Sequence, residues 1–490
     1  MKKMKNTSFL AMLCLCFWGS ISASAQERKP NILMIVCDDL GYNDVGFNGS
    51  KDIKTPALDQ LAKAGTIMTS GYVTHPFCGP SRASMLTGRY PHPMGTQFNL
   101  PPNTEEEDLG IPVAELGIPV EETYISKVLK DAGYYTGIVG KWHLGTEPQY
   151  HPNVRGFEDF YGFLGGGHNY FPKQYREAYE RQKKQGKKVI FDYLLPLEHN
   201  GKEVQEDEYL TDALSKQAIR QVNEAKAQDK PFFMYLAYNA PHTPLQAKEE
   251  DMAEYSGIKD QKRRTYAAMV HAVDRGVSQV VRQLKENGQF ENTLIVFLSD
   301  NGGKIGRGAN NYPLREGKGS ACEGGFRVPM FFHWPAHIPA GKRFNYVVSS
   351  VDFYPTFAEL AGAKIPSGKV LDGKVVINDI MKNRNTRKDE AIFAMRHRNT
   401  YNEVGVRYND WKLLSQELGV WQLYNLKKDI GEQKDVSAKH PEIVKELVQK
   451  AQDWSESHHA PRWFHDGNTR ELWEKNEMPR FDRTFQCTFF

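Results

Sequence analysis

Short apolar runs recur along the chain, and each stops abruptly at polar residues. Asn31–Cys37 (NILMIVC) runs into Asp38-Asp39 and Gly41. Tyr134–Val139 runs into Gly140-Lys141-Trp142-His143, and Pro231–Tyr238 into Asn239-Ala240-Pro241-His242. Thr293–Leu298 runs into Ser299-Asp300-Asn301-Gly302-Gly303, and Arg327–Trp334 is a fifth run. Apolar runs without polar alternation predict strands buried on both faces, as in a parallel sheet. Between them lie helical stretches: Pro56–Ala64 closed by Gly65, Thr123–Ala132 ended by Gly133, Tyr209–Ala227, Arg263–Glu286 closed by Gly288, and Val351–Ala361. Gly156–Tyr170, rich in glycine and aromatics, and the acidic Asn103–Asp108 read as loops. Strands alternating with helices predict an α/β fold, a large mixed, mostly parallel sheet sandwiched by helices. The pattern changes near the end. Glu403–Leu414 and Trp421–Leu426 read as short strands before one helix, Pro441–Trp454, which predicts a smaller antiparallel sheet plus helix.

The first residues follow another rule. Met1–Lys5 carries three lysines, Phe9–Gly19 is apolar, and Ala23-Ser24-Ala25 is a small-residue cleavage pattern. Residues 1–25 therefore read as an export signal, whose apolar run is too short to span a membrane. The expected division is 1–25 signal peptide, 26–390 catalytic domain and 391–490 C-terminal α+β subdomain. Without the three leading lysines, the rest of the 490-residue chain carries 60 basic and 60 acidic residues, with no surplus to attract nucleic acid. Beyond the signal, Cys37, Cys78, Cys322 and Cys487 lie far apart and show no metal-binding spacing.

In open α/β sheets, ligands bind outside the carboxyl ends of the strands. Here those ends carry Asp38 and Asp39, Lys141 and His143, His242, and Asp300 and Asn301. Each alone is an ordinary loop or cap residue. Together, Asp38, Asp39, Asp300 and Asn301 offer only hard oxygen donors, which suit Ca²⁺ or Mg²⁺, with Ca²⁺ the better match for converging loops. Arg82, Lys141 and Lys318 add fixed cations suited to a tetrahedral oxyanion, and His143 and His242 can move protons. Cys78 lies just ahead of Pro80, and a helix over Ser81–Leu86 would aim its free N–H groups at residue 78. These residues together predict a hydrolase for sulfate or phosphate esters with its nucleophile near residue 78.

Cys78-Gly79-Pro80-Ser81-Arg82, continued by Leu86-Thr87-Gly88-Arg89, resembles the signature of type I sulfatases, members of the alkaline phosphatase superfamily. Asp38-Asp39, Gly140–Gly145, Pro241-His242, Ser299–Gly302 and Gly317–Ser320 resemble further blocks of that family, in its order. The resemblance covers roughly residues 29–430 and implies an alkaline-phosphatase-like fold. It implies that Cys78 is converted to Cα-formylglycine by a formylglycine-generating or anaerobic sulfatase-maturating enzyme. It implies one calcium ion held by Asp38, Asp39, Asp300 and Asn301. Arg82 and Lys141 would steady the formylglycine, and Lys141, His242 and Lys318 would bind the sulfate oxygens. His242 would protonate the leaving alcohol, and His143 would take the proton whose loss releases sulfate.

For a secreted bacterial enzyme of this type, expected in the periplasm, the implied substrate is a sulfated glycan of glycosaminoglycan, mucin or algal type. Gln97, His168, Lys304, Arg307 and Arg315 are candidate sugar contacts. Two other readings stay open on the sequence: a phosphate or phosphonate ester hydrolase of the same superfamily, and a non-catalytic binder of sulfated glycans.

Overall fold

All seven residues of β1 (Asn31–Cys37) are buried, and its side chains alternate between two cores. Ile32, Met34 and Val36 belong to one, and Leu33, Ile35 and Cys37 to the other. This explains why the strand is a continuous apolar run: both faces of the sheet are covered. Each such buried side chain contributes about 1.5–3 kcal/mol. The structure is a computed structural model and describes residues 28–101, 109–185, 192–335, 337–398 and 400–476. The expected export signal, residues 103–108 and Cys487 lie outside the described residues.

The other strands of the main sheet are β2 (Thr66–Tyr72), β3 (Tyr135–Lys141), β4 (Asp159–Phe163), β5 (Leu197–His199), β6 (Lys202–Val204), β7 (Phe232–Ala237), β8 (Thr293–Ser299), β9 (Met330–His333) and β10 (Lys342–Ser349). They form a ten-stranded sheet in the order β10-β2-β9-β8-β1-β7-β3-β4-β5-β6. The central strands β8-β1-β7-β3-β4 run parallel, while β9 and β5 pair antiparallel with their neighbours. One face is covered by α1 (Pro56–Ala64), α4 (Leu210–Ala227) and α5 (Gln261–Glu286). The other is covered by α2 (Cys78–Thr87), α3 (Ile125–Asp131) and α6 (Phe353–Leu360). A second sheet, β11 (Ile392–His397), β12 (Asn402–Tyr408), β13 (Trp411–Glu417) and β14 (Val420–Asn425), is antiparallel in sequence order. Against it packs α7 (Pro441–Ser455) through Val444, Leu447, Val448 and Ala451. The mixed, mostly parallel sheet between helices and the small antiparallel sheet are the architecture expected from the sequence.

Two local expectations change. Gly156–Tyr170 is not all loop, because β4 pairs with β3 and places Gly162 beside Gly140. A side chain at Gly162 would collide with the Gly140 carbonyl, so glycine there marks close strand packing rather than a turn. The helix that carries Cys78 starts earlier than expected. Phe77, in extended geometry, is its cap, and Cys78 is the first helical residue. Pro80 still costs nothing, because the first backbone bond of the helix is Ser81 N–H to the Phe77 carbonyl (3.1 Å).

Candidate active site

Four parallel strands of the main sheet deliver the polar cluster from their carboxyl ends: Asp38 and Asp39 after β1, Lys141 ending β3, His242 after β7, and Asp300 and Asn301 after β8. α2 brings Cys78 and Arg82 to the same place. All ten of its residues are buried, and Gly88 ends it in the left-handed conformation, its N–H bonded to the Ser84 carbonyl (2.9 Å). Ser84 and Thr87 turn their hydroxyls back onto the Pro80 and Ala83 carbonyls (3.1 and 2.8 Å), which satisfies two of the helix's buried polar groups, while Ser81 Oγ stays buried without a hydrogen-bond partner.

The cluster is tightly connected. Cys78 Sγ lies 3.3 Å from Asp38 Oδ1 and 3.2 Å from Lys318 Nζ. Lys318 Nζ is also 2.5 Å from Asp39 Oδ1, and Lys141 Nζ is 2.6 Å from Asp38 Oδ2. Arg82 pairs with Asp300 (2.8 Å) and donates to the Lys141 carbonyl (3.3 Å). His242 Nε2 sits 3.8 Å from Asp39 Oδ2 while Nδ1 faces the Thr243 carbonyl at 2.8 Å. That carbonyl accepts only from a protonated Nδ1, so Nε2 is the nitrogen left to exchange a proton in the cleft. Asp39 and His143 both hold positive φ angles, 64° and 63°, a conformation that L side chains disfavour and that functional sites tolerate. Gly166 makes room for His143, since a Cβ there would lie 2.9 Å from Nε2.

The charges are set by burial and by one another. Burial pushes Asp38 up, but Lys141, His242, Arg82 and Lys318 outweigh it and hold the carboxyl well below the usual range. Burial and then repulsion from Asp38 push Asp300 up to about 6, against Arg82 and Lys141. Burial lowers His242, and burial with Lys141 and Arg82 takes His143 well below the usual imidazole value. Burial, Asp300 and Asp38 raise the Cys78 thiol, so as encoded it stays protonated.

The donor set fits a hard cation. One ligand atom from each of Asp38, Asp39, Cys78 and His242 lies within 4.8 Å of the others. Asp300 Oδ1 accepts from the Asp39 N–H (3.3 Å). Asn301 uses its Nδ2 on Asp39 Oδ1 (2.8 Å) and the Gly302 carbonyl (2.9 Å), which leaves its buried Oδ1 without a partner. A buried carbonyl oxygen without a donor, among carboxylates, suits Ca²⁺.

A family model described as "Sulfatase" matches residues 30–363. The chain belongs to the sulfatase family. A second model, described as "N-sulphoglucosamine sulphohydrolase, C-terminal", matches residues 318–457 of this sulfatase. It is 30% identical to arylsulfatase J of Mus musculus, over 90% of this chain and 79% of the relative. It is 32% identical to N-acetylgalactosamine-6-sulfatase of Mus musculus, over 79% and 72% respectively. Among solved structures, Ps i-CgsB in complex with k-i-k-neocarrahexaose is 55% identical, with a TM-score of 0.90, covering 94% of this chain and 100% of that one. The chain is therefore an enzyme, a sulfatase.

The candidate sugar contacts separate in the fold of this sulfatase. Gln97 lines a cavity beside Phe77, with its Nε2 bonded to the His459 carbonyl (2.6 Å). Lys304 lines the cavity that Lys318 borders. Arg307 is exposed on a short turn. Arg315 is turned toward the small sheet, bonded to Tyr424 Oη (3.2 Å) and Gln416 Oε1 (2.9 Å). His168 is buried, its ring nitrogens against the Asn169 and Leu195 carbonyls (2.8 and 2.7 Å). Sequence reasoning missed Asn99, whose Oδ1 accepts from the Gly79 N–H (2.9 Å), and Arg396 of β11, which the structure places beside Phe77. Asn99 follows no apolar run, and Arg396, which does follow one (Ala391–Met395), lies in the C-terminal stretch where only Glu403–Leu414 and Trp421–Leu426 read as strands.

Proposed function

We propose that this sulfatase removes O-sulfate groups from a sulfated glycan, with Cys78 as the precursor of a formylglycine nucleophile. The observation that carries the reading is the contact of Cys78 Sγ with both Lys318 and Asp38 at the start of a buried helix (3.2 and 3.3 Å). A thiol raised by burial is a poor thiolate, so the encoded cysteine is itself unsuited to attack a sulfate ester. When formed, formylglycine supplies a hydroxyl nucleophile in hydrated form. Asp38, Asp39, Asp300 and Asn301 would hold calcium, which supplies Lewis acidity toward that nucleophile and a sulfate oxygen.

The chain's own residues do the remaining work. Three carboxylates and the three cations Arg82, Lys141 and Lys318 cancel, so a divalent ion leaves net positive charge for an oxyanion. Lys141, Lys318 and His242 bind the sulfate oxygens. His242 Nε2 donates a proton to the leaving alcohol, and His143 accepts one when sulfate departs. Arg82 holds Asp300 and the β3 end in position.

The finer reading is an exported enzyme of bacterial type, acting in the periplasm on an algal-type sulfated oligosaccharide. The apolar segment 9–19 with Ala23-Ser24-Ala25 supports export. Among the described residues no helix is long and apolar enough to cross a membrane. The 55% identity to a protein solved with k-i-k-neocarrahexaose supports a carrageenan-type oligosaccharide as substrate. We assign the chemistry to residues 26–390 and read 391–490 as the C-terminal α+β subdomain, whose described residues contact the main domain, as Lys412 does at the Ala321 carbonyl. A maturating enzyme is the required partner.

Sulfate release from carrageenan-type oligosaccharides, compared with an aryl sulfate and an aryl phosphate, tests the activity. The mass of the tryptic peptide Ala64–Arg82 tests the nucleophile: an aldehyde at residue 78 lowers it relative to the thiol. Protein from its native host that carries only the thiol refutes the formylglycine reading.

A further inference from the structure

Arg396 ends up between the two most important loops of the cleft, although it comes from the small sheet. Its guanidinium lies 4.7 Å from the centre of the Phe77 ring, directly before Cys78. Its Nη1 donates to the carbonyl of Gly319, directly after Lys318. It also borders two cavities of about 320 Å³ each. The first is lined by His75, Gln97, Asn99 and His465, the second by Lys304, Lys318, Arg398 and Glu316. Each is at the lower end of ordinary ligand clefts, about 300–1,000 Å³.

The guanidinium is not neutralised. Among the described residues no carboxylate lies within 4.0 Å of it. Its acidic neighbour Glu403 is engaged by Arg398 (2.5 Å), Ser320 Oγ (2.9 Å) and the Ala321 N–H (2.8 Å). Burial and then Arg398 push Arg396 down to about 10, which marks a cation short of counter-charge. A partly buried cation with no anion is costly unless a ligand supplies one. A planar guanidinium over an aromatic ring in the wall of a cavity suits binding of an oxyanion.

We infer that Arg396 binds a second anionic substituent of the substrate and makes this sulfatase selective for glycans that carry another charge near the scissile sulfate. The inference rests on the proposed glycan sulfatase activity. Lys318 lines the same cavity, so the second anion sits on the same sugar or its neighbour. A sulfate ester and a uronic carboxylate share the required chemistry. Glu316 on the same wall repels anions placed too far toward it, which narrows the position.

The test uses the matured full-length enzyme and its Arg396→Ala and Arg396→Lys variants. Substrates are an aryl sulfate, a monosulfated oligosaccharide, its disulfated counterpart and a monosulfated uronate. Arg396→Ala is expected to lose on the order of 10–100-fold in kcat/KM on a doubly charged substrate, mainly through KM. Activity on the aryl sulfate and the monosulfated oligosaccharide, which carry no second charge, should stay within about twofold, and Arg396→Lys should recover part of the loss. Which doubly charged substrate suffers more identifies the anion as sulfate or carboxylate. Equal loss on all substrates overturns the inference, because Arg396 would then only brace Phe77 and Gly319. No loss on either doubly charged substrate overturns it too. Calorimetric titration of the same oligosaccharides into Cys78→Ala, with and without Arg396→Ala, reads the charge preference without turnover. A preference there in a protein that releases no sulfate would count against the activity and not against the Arg396 site.

Discussion

Lys318 and Cys78 are 240 positions apart in sequence, and the Lys318 ammonium lies 3.2 Å from the Cys78 sulfur. The same ammonium pairs with Asp39 at 2.5 Å, so one cation links Cys78 to the acidic cluster. Replacing it should remove charge where a transferring sulfate gains it. Lys318→Ala should lower kcat on any sulfate ester by about 10²–10³ while the circular dichroism spectrum stays near wild type. Cys78→Ala should abolish turnover altogether. Appreciable turnover in Cys78→Ala would exclude residue 78 as the nucleophile.

Asp300 faces both Arg82 (2.8 Å) and the Asp39 backbone (3.3 Å). Asp300→Ala should weaken calcium binding, measured by titration calorimetry on metal-stripped protein. It should also destabilise the fold by about 3–5 kcal/mol, because buried Arg82 would keep only its longer carboxylate contact, with Asp38 (3.8 Å). Unchanged calcium affinity would remove Asp300 from the ligand set.

His242 presents Nε2 to the cleft because Nδ1 is held by the Thr243 carbonyl at 2.8 Å. A general acid matters most for poor leaving groups. His242→Gln should therefore lose about 10²–10⁴ on a sugar sulfate and much less on 4-nitrophenyl sulfate, whose phenolate leaves unaided. Equal losses on both would assign His242 to sulfate binding alone.

Four histidines meet where the small sheet joins the main domain. His92 stacks on His458 with ring centres 4.8 Å apart, and His75 and His397 lie at 5.8 and 5.6 Å from it. Burial lowers all four, His397 to about 4, His458 to about 3, and His75 and His92 well below 6.5. A folded-state value below the unfolded one means that the unfolded chain takes up protons first. The contribution to stability is complete above about pH 6.5 and is lost as pH falls toward 4, with each histidine adding about 1.4 kcal/mol per pH unit. Urea unfolding should show a clearly lower midpoint at pH 5.0 than at pH 7.5, and His92→Asn should flatten that dependence. An identical midpoint at both values would contradict the burial of neutral rings.

Lys412 sits fully buried between Glu323 (3.1 Å) and Glu432 (3.7 Å), tying β13 to the loop that follows Lys318. Lys412→Met removes the cation between Glu323 and Glu432, leaving Arg327 on Glu323 alone. It should cost about 3–5 kcal/mol by chemical denaturation, and Lys412→Arg should cost less. A loss under about 1 kcal/mol would show that the Arg327 and Tyr72 contacts with Glu323 carry the network.

The sequence by itself determined the central strands and the polar residues at their ends. β1, β3, β7 and β8 are buried on both faces, so nearly every position must be apolar, and the chemistry begins where the apolar run stops. The order of the sheet and the closeness of its loops follow only from folding. β2 (TIMTSGY) mixes polar and apolar residues, since its backbone carbonyl at Thr69 accepts from Arg327 and its neighbour β10 is half exposed. β4 hides behind the glycines that let it pack on β3. Nothing local marks Arg396, His397 or Lys412 as neighbours of residues 75–78 and 318–323. Their positions depend on how the small sheet docks, a property of surfaces that meet only in the folded chain. Arg315 shows the converse. Its place in a cationic loop suggests a sugar contact, and docking of the same sheet turns it toward Tyr424 and Gln416.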